Sequence, residues 1–228
     1  MTTPDSDRAT AAQGFYSRWA RAYDTLARRA PGVRGLRRDT AAALDLAPGD
    51  TVVDVGCGTG ANLPALRERV GPSGTVVGVD FAPGAVARAR AHVAREGWTN
   101  VHVCRGDATR LPLADADVDA VVATFLVGML PDPAATVRRW LDDLNPERLA
   151  LLDLASSHHR LGRQLNPVFR ALVVATAPPG TRDHHDGSPA CVLDRRVAAA
   201  HRTLLDACVE TTHGTRIGGF AYLSAGRR

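Results

Sequence analysis

Through the middle of the chain, short β-branched runs alternate with stretches of helical spacing. The runs are T-V-V-D-V at 51–55, T-V-V-G-V-D at 75–80, N-V-H-V-C at 100–104, V-D-A-V-V-A at 118–123 and L-A-L-L-D-L at 149–154. Helices are expected at 61–70, 83–95 and 133–144, with Pro83 and Pro133 in the favoured first-turn position. Strands that alternate with helices predict a parallel sheet, and right-handed crossovers then place helices on both of its faces.

The flanks carry a weaker pattern. Phe15, Trp19, Tyr23 and Leu26 recur at spacings of three and four, the stripe of a packed helix, and a second helix is expected over 33–46 before Pro48-Gly49-Asp50 stops it. After Ala155 the alternation fades. Residues 159–176 hold the apolar run A-L-V-V-A-T and read as a helix or lid, 178–189 as a histidine-bearing loop, and 192–208 as a helix. The runs 209–217 and 220–225 read as a closing pair of strands around Gly218-Gly219, which completes a doubly wound, mostly parallel α/β sheet of seven strands. The chain then divides into a flexible tail at 1–12 and one domain at 13–228. Within that domain, 13–46 form a helical cap and about 156–208 form a lid or acceptor region.

Composition narrows the class. With 228 residues and 45% hydrophobic content the chain supports a sizeable core, which excludes a disordered or fibrous protein. The formal charge of +4 comes with arginine as the only strong base, and this mild basicity carries little weight about partners. Cys57, Cys104, Cys191 and Cys208 form no C-x-x-C pair, so neither a disulfide framework nor a metal site is expected. The polar N-terminus carries no secretory signal and no apolar run approaches the ~20 residues of a membrane span, so the expected location is cytoplasmic.

Chemistry concentrates at V-V-D-V-G-C-G-T-G, residues 52–60. Here a strand enters Gly56, Gly58 and Gly60, residues that permit a tight turn and close approach of a ligand to the backbone. Because residue 61 is alanine, the same letters satisfy the dinucleotide pattern G-x-G-x-x-A, and a nicotinamide oxidoreductase stays open as a rival. Three acids sharpen the choice. Asp54 stands inside the strand end, where nicotinamide loops more usually carry an apolar residue. Asp80 closes the second strand, where carboxylates accept ribose hydroxyls, and Asp107 follows the third in R-G-D-A. In wound sheets ligands sit outside the carboxyl ends of the strands, so the three acids describe one site.

On D-V-G-C-G-T-G, V-G-V-D-F, R-G-D-A-T-R-L-P and V-D-A-V-V-A-T-F, the chain resembles class I S-adenosylmethionine-dependent methyltransferases over about residues 15–155. The segments F-Y-x-R-W-A-x-x-Y-D at 15–24 and G-T-G-A-N-L at 58–63 are similar to the ubiquinone and menaquinone C-methyltransferase branch. The resemblance implies a Rossmann-like fold, S-adenosylmethionine as cofactor, and cofactor contacts from Asp54, the three loop glycines and Asn62. It also implies that Asp80 binds the ribose diol, Phe81 lies near the adenine and Asp107 with Ala108 reads the adenine edge. Thr124 and Phe125 would line the pocket, and Tyr23 would cover the methionine end. Two departures stand out. L-N-P-E-R at 144–148 replaces the usual glycine-bearing turn before the fifth strand, on the side away from the ligand. T-F-L-V-G at 124–128 stands where enzymes acting on exocyclic base nitrogens carry an N-P-P-Y type tetrapeptide.

The expected acceptor is therefore a small or lipid-like metabolite, with nucleic acid not expected. A non-catalytic adenosyl-binding protein is the second rival. Asp153, His158 and His159 are the base candidates, set against structural and solvated readings, as are the paired His184 and His185. The cluster Arg18, Arg21, Arg28, Arg29, Arg34, Arg37 and Arg38 reads most simply as the solvated side of two helices, its sharper reading being attraction to an anionic substrate or a membrane surface. Residues 161–177 are expected to help enclose the acceptor, Leu165, Val168, Leu172 and Val173 forming an apolar wall edged by Arg163 and Arg170. Acceptor identity and oligomeric state are not legible.

Overall fold

The computed structural model describes residues 32–113, 117–176 and 187–228. The stripe from Phe15 to Leu26, with Tyr23, and the His184-His185 pair lie outside the described residues.

The described chain runs through α1 (Val33–Ala43), β1 (Thr51–Val55), α2 (Leu63–Val70), β2 (Thr75–Asp80), α3 (Pro83–Glu96), β3 (Val101–Arg105), β4 (Ala120–Thr124), α4 (Pro133–Asp143), β5 (Arg148–Leu154), α5 (Asn166–Thr176), α6 (Pro189–Ala207), β6 (Glu210–Arg216) and β7 (Ala221–Arg227). Short 3-10 turns occupy Val127–Met129, Gly162–Leu165 and Ile217–Gly219. The seven strands lie in the order β3-β2-β1-β4-β5-β7-β6. β1 to β5 pair in parallel, whereas β7 is antiparallel to both β5 and β6. The doubly wound, mostly parallel expectation is met, and the strand order reverses between β1 and β4, the place where such sheets leave a ligand crevice.

Alternation along the strands builds two cores. Val53, Val55, Val121, Ala123, Leu149 and Leu151 face α4 and α6, meeting Val137, Trp140, Leu141, Val197 and Leu204. Val52, Ala120, Val122 and Ala150 face the other way and meet Ala41, Leu44, Leu63, Leu66 and Val86 from α1, α2 and α3. The two-residue period of a strand therefore puts Asp54 on the α1–α2 face and Asp153 on the α4–α6 face. These two buried acids, both near the carboxyl edge, serve opposite sides of the sheet.

Helix starts follow local chemistry. Pro133 opens α4 behind Asp132, whose carboxylate accepts the Ala135 N–H at 2.9 Å, and Pro189 opens α6 behind Ser188. The glycine-free turn before β5 is held by ion pairing: Arg148 meets Asp50 at 2.9 Å and donates to the Asp45 carbonyl at 2.6 Å. Asp119, in the bend before β4, accepts the Thr51 N–H at 2.7 Å and ties β4 to β1.

α5 is the most exposed helix. It lies on the carboxyl side of the sheet with Leu172 53% exposed, and Leu161, Leu165 and Val168 are exposed with it. Phe169, Val173 and Val174 are half-buried, and the Phe169 ring lies 5.2 Å from that of Phe220.

Candidate functional site

β1 ends in a tight turn in which Gly56 has φ +69° and Gly58 φ +56°, the left-handed region that favours glycine. A Cβ on Gly56 would stand 2.9 Å from Leu126, whereas one on Gly58 would meet nothing within 4 Å. Gly56 is thus fixed by packing and Gly58 by backbone conformation on an open side of the loop. The Gly56 and Cys57 amides donate to the Val79 carbonyl at 2.8 and 3.0 Å, which binds the loop to β2.

Around this loop the structure gathers most of the expected residues. Asp54 is fully buried and accepts the Asn62 side-chain N–H at 2.8 Å through Oδ1; its Oδ2 is buried without a hydrogen-bond partner. Burial pushes its pKa from 3.8 up to about 7, against the lowering effects of the Asn62 hydrogen bond and the Arg37 charge. Asp80 spreads its two oxygens over the loop and the next turn, accepting the Gly58 N–H at 2.9 Å and the Ala82 N–H at 2.8 Å. Burial raises its pKa too, and these two amides oppose the rise. Phe81 presents an exposed ring, with the Arg105 guanidinium 5.7 Å from its centroid.

Asp107 is exposed and accepts both the backbone and hydroxyl hydrogens of Thr109, while the Ala108 carbonyl is held by the buried Trp140 indole at 2.7 Å. Thr124 is buried and accepts from Asn62 at 3.1 Å. Phe125 has φ +58°, a costly conformation for a non-glycine residue, and its amide donates to the Leu152 carbonyl at 2.6 Å.

One residue joins this set that the sequence reading assigned to solvent. Arg37 of α1 reaches across to donate to Asn62 at 2.7 Å and Thr124 at 2.8 Å, and its guanidinium stands 5.2 Å from the centre of the Phe125 ring. Nothing local separates Arg37 from its neighbours Arg34 and Arg38. Only the docking of α1 against β4, β5 and the start of α2 turns it inward.

The base candidates lie elsewhere. His158 and His159 follow β5 and are exposed. Asp153 is 2% exposed, with His201 of α6 at 3.3 Å, and the backbone amides of Leu126 and Val127 favour its ionised form. A sealed carboxyl paired with His201 cannot meet an acceptor directly. Among the described residues, no group of three or more His, Cys, Asp or Glu could hold a metal ion.

The residues present suit a cofactor with a cationic and a hydroxylated end. An orphaned buried carboxylate oxygen, an inward arginine beside it and a carboxylate at the end of β2 stand along one carboxyl edge. Residues 52–147 match the family model described as a methyltransferase domain. The chain is 33% identical over 200 residues to nocamycin O-methyltransferase of Saccharothrix syringae, which covers 81% of this chain and 70% of that protein. It is 38% identical over 96 residues to demethylmenaquinone methyltransferase of Shouchella clausii, covering 42% of this chain but 41% of that protein, so it spans less than half of that relative. A SAM-dependent methyltransferase from Aquifex aeolicus shares the fold, with a TM-score of 0.61 at 22% identity over 86% of this chain and 92% of its own. The chain belongs to the class I S-adenosylmethionine-dependent methyltransferases, resembles their quinone-methylating branch, and uses S-adenosylmethionine as its cofactor.

Proposed function

We propose that this protein transfers the sulfonium methyl group of S-adenosylmethionine to a small or lipid-like metabolite, and that the carboxyl ends of β1, β2 and β4 hold the cofactor. The observation that carries the cofactor assignment is the buried, unpartnered Oδ2 of Asp54 beside Arg37. An amino-acid end suits this pair: Asp54 would accept from the ammonium while Arg37, already anchored on Asn62 and Thr124, would donate to the carboxylate. Asp80 would accept the ribose hydroxyls, since each of its oxygens retains a lone pair beyond the amide it binds. Phe81 and the Asp107–Ala108 turn would frame the adenine.

When bound, the cofactor supplies an electrophilic methyl group, and the protein's task is to hold a nucleophile in line with it. Alignment replaces a bimolecular encounter, where effective molarities reach ~10⁵ M or more. The relatives named nocamycin O-methyltransferase and demethylmenaquinone methyltransferase support a small-molecule acceptor for this chain.

S-adenosylmethionine or its demethylated product should raise the melting temperature by several degrees, while NAD and NADP should not. At ~100 times the dissociation constant the linkage amounts to ~2.7 kcal/mol. A larger shift with NAD would return the nicotinamide reading.

The acceptor side is assigned to the segment after β5. The exposed Leu161, Leu165, Val168 and Leu172 make an apolar stripe, with Arg163 and Arg170 on the same segment to meet an anionic or carbonyl end. No described helix is long and apolar enough to cross a membrane, so this stripe is read as a contact surface rather than a span. Because Leu172 is exposed, Leu172→Ala should leave folding and cofactor affinity unchanged. It should raise KM for the acceptor found by a labelled-methyl screen by roughly threefold or more, the loss of one apolar contact. Equal KM values would remove α5 from the acceptor site.

A further inference from the structure

A second constellation lies on the far face of the sheet, away from Asp54. α6, β6, β7 and the segment after β5 line an open cavity of about 300 Å³ whose wall includes His201, His213 and Tyr222. From this wall a chain of hydrogen-bonding groups runs inward. His213 Nδ1 stands 2.8 Å from Ser224 Oγ, the same oxygen stands 2.8 Å from His201 Nδ1, and His201 Nε2 stands 3.3 Å from Asp153 Oδ2. Ser224 is fully buried, and Asp153 and His201 nearly so, whereas His213 sits on the exposed edge strand. The Leu126 and Val127 amides, in the two residues directly after Phe125, favour the ionised form of Asp153.

The hydrogen inventory of these groups gives the chain two directions. With Asp153 ionised, His201 donates to it through Nε2–H, accepts the Ser224 hydroxyl hydrogen at Nδ1, and Ser224 accepts from His213 Nδ1–H. Adding one proton reverses every link. The incoming proton binds His213 Nε2, the His213 Nδ1 proton passes to Ser224 Oγ, and the Ser224 hydroxyl proton passes to His201 Nδ1. The Asp153–His201 pair thereby holds one more proton, with His201 Nδ1–H donating to Ser224 and Ser224 donating to His213 Nδ1. One proton enters at His213 and one arrives at the Asp153–His201 pair, so the relay conserves atoms and carries a single positive charge inward.

We propose that Asp153, His201, Ser224 and His213 form a proton relay from the cavity to the loop after β4, and that the charge it sets on the Asp153–His201 pair fixes or frees the Leu126 and Val127 amides. These are positioning residues, acting on the backbone that follows Thr124 and Phe125. Burial raises the pKa of Asp153 against the hydrogen bond from His201, and burial lowers that of His213. The other charged or titratable groups facing the cavity are Asp194, Arg202 and Asp206 of α6, His158 after β5, and Tyr222 of β7. The first of these is bound to the Ser156 amide at 2.8 Å, and the phenol donates to the Ser156 carbonyl at 2.8 Å.

The test is imidazole and amide NMR of the whole chain without acceptor, which reads the relay even if the methyl-transfer reading fails. The His201 and His213 tautomers should reverse together with the Leu126 and Val127 amide shifts, at one midpoint. Ser224→Ala should uncouple His213 from that midpoint and slow solvent exchange of the His201 ring proton roughly tenfold or more, since exchange must then wait for local opening. His213→Gln, on the exposed edge strand, should slow it similarly without a folding defect. His201→Phe removes a donor that holds Asp153 ionised, so the amide transition should move to higher pH, and His201→Gln, which can still donate, should bring it partly back. Unrelated midpoints for His201 and the two amides, or exchange unaffected by both Ser224→Ala and His213→Gln, would overturn the relay.

Discussion

Asp54→Ala should lose cofactor affinity by roughly thirtyfold to several-thousandfold, the ~2–5 kcal/mol cost of truncating one partner of a buried charge pair. The variant also reports on pH. In the free protein Asp54 has a pKa of about 7, because burial outweighs Asn62 and Arg37. An ammonium placed at Oδ2 favours the ionised form, so binding below pH 7 must first expel a proton. Affinity should then fall about tenfold for each pH unit below 7 and level off above it. Asp54→Asn, of nearly the same shape, should flatten this limb as measured by calorimetry at pH 5.5, 6.5 and 8.

Stability runs the other way. A folded-state pKa raised from 3.8 to about 7 means that the native state holds this proton more tightly than the unfolded chain. The stability it contributes is full below pH 3.8 and is lost progressively up to pH 7. The gap corresponds to roughly 4 kcal/mol, so Asp54→Asn should stabilise the free protein at pH 8 while weakening its use of the cofactor. If the pH limb persists in Asp54→Asn, the assignment of Asp54 to the ammonium fails.

The largest effect on folding is expected at Trp140. Its side chain is 1% exposed in the core between α4 and the sheet, and its Nε1–H donates to the Ala108 carbonyl at 2.7 Å. Trp140→Ala should cost ~3–5 kcal/mol from the cavity alone, and more from the unpaired carbonyl, lowering the melting temperature by roughly 10 °C or more. Trp140→Phe separates the two parts: it keeps most of the packing and removes only the hydrogen bond. Its urea midpoint should fall modestly, and cofactor affinity should fall with it, because Ala108 belongs to the turn proposed to frame the adenine. Unchanged affinity in Trp140→Phe would reduce the indole to a packing residue.

The parallel core was legible because its signals are local. T-V-V-D-V running into Gly56, Gly58 and Gly60 declares both a strand and its turn, and Asp80 and Asp107 fall at strand ends whose positions follow from the same alternation. Arg37 was not legible, since its role depends on residues 25 and 87 positions away. Asp153 showed only as an acid near a strand end. Its partner His201 comes from a helix 48 residues later and Ser224 from a strand beyond that, so the relay exists only once α6 and β7 have closed on β5.

The place of β7 between β5 and β6 bears on how the domain comes to be folded. β7 is the last strand in chain order, yet it pairs over seven residues with each of its neighbours. Until it docks, β5 is an open edge and β6 has no ladder at all, so a nascent chain carries an incomplete sheet through most of its synthesis. Closure then depends on contacts of long sequence separation, which are formed slowly, and the exposed rim of β5 is the surface for a chaperone to shield in the interval.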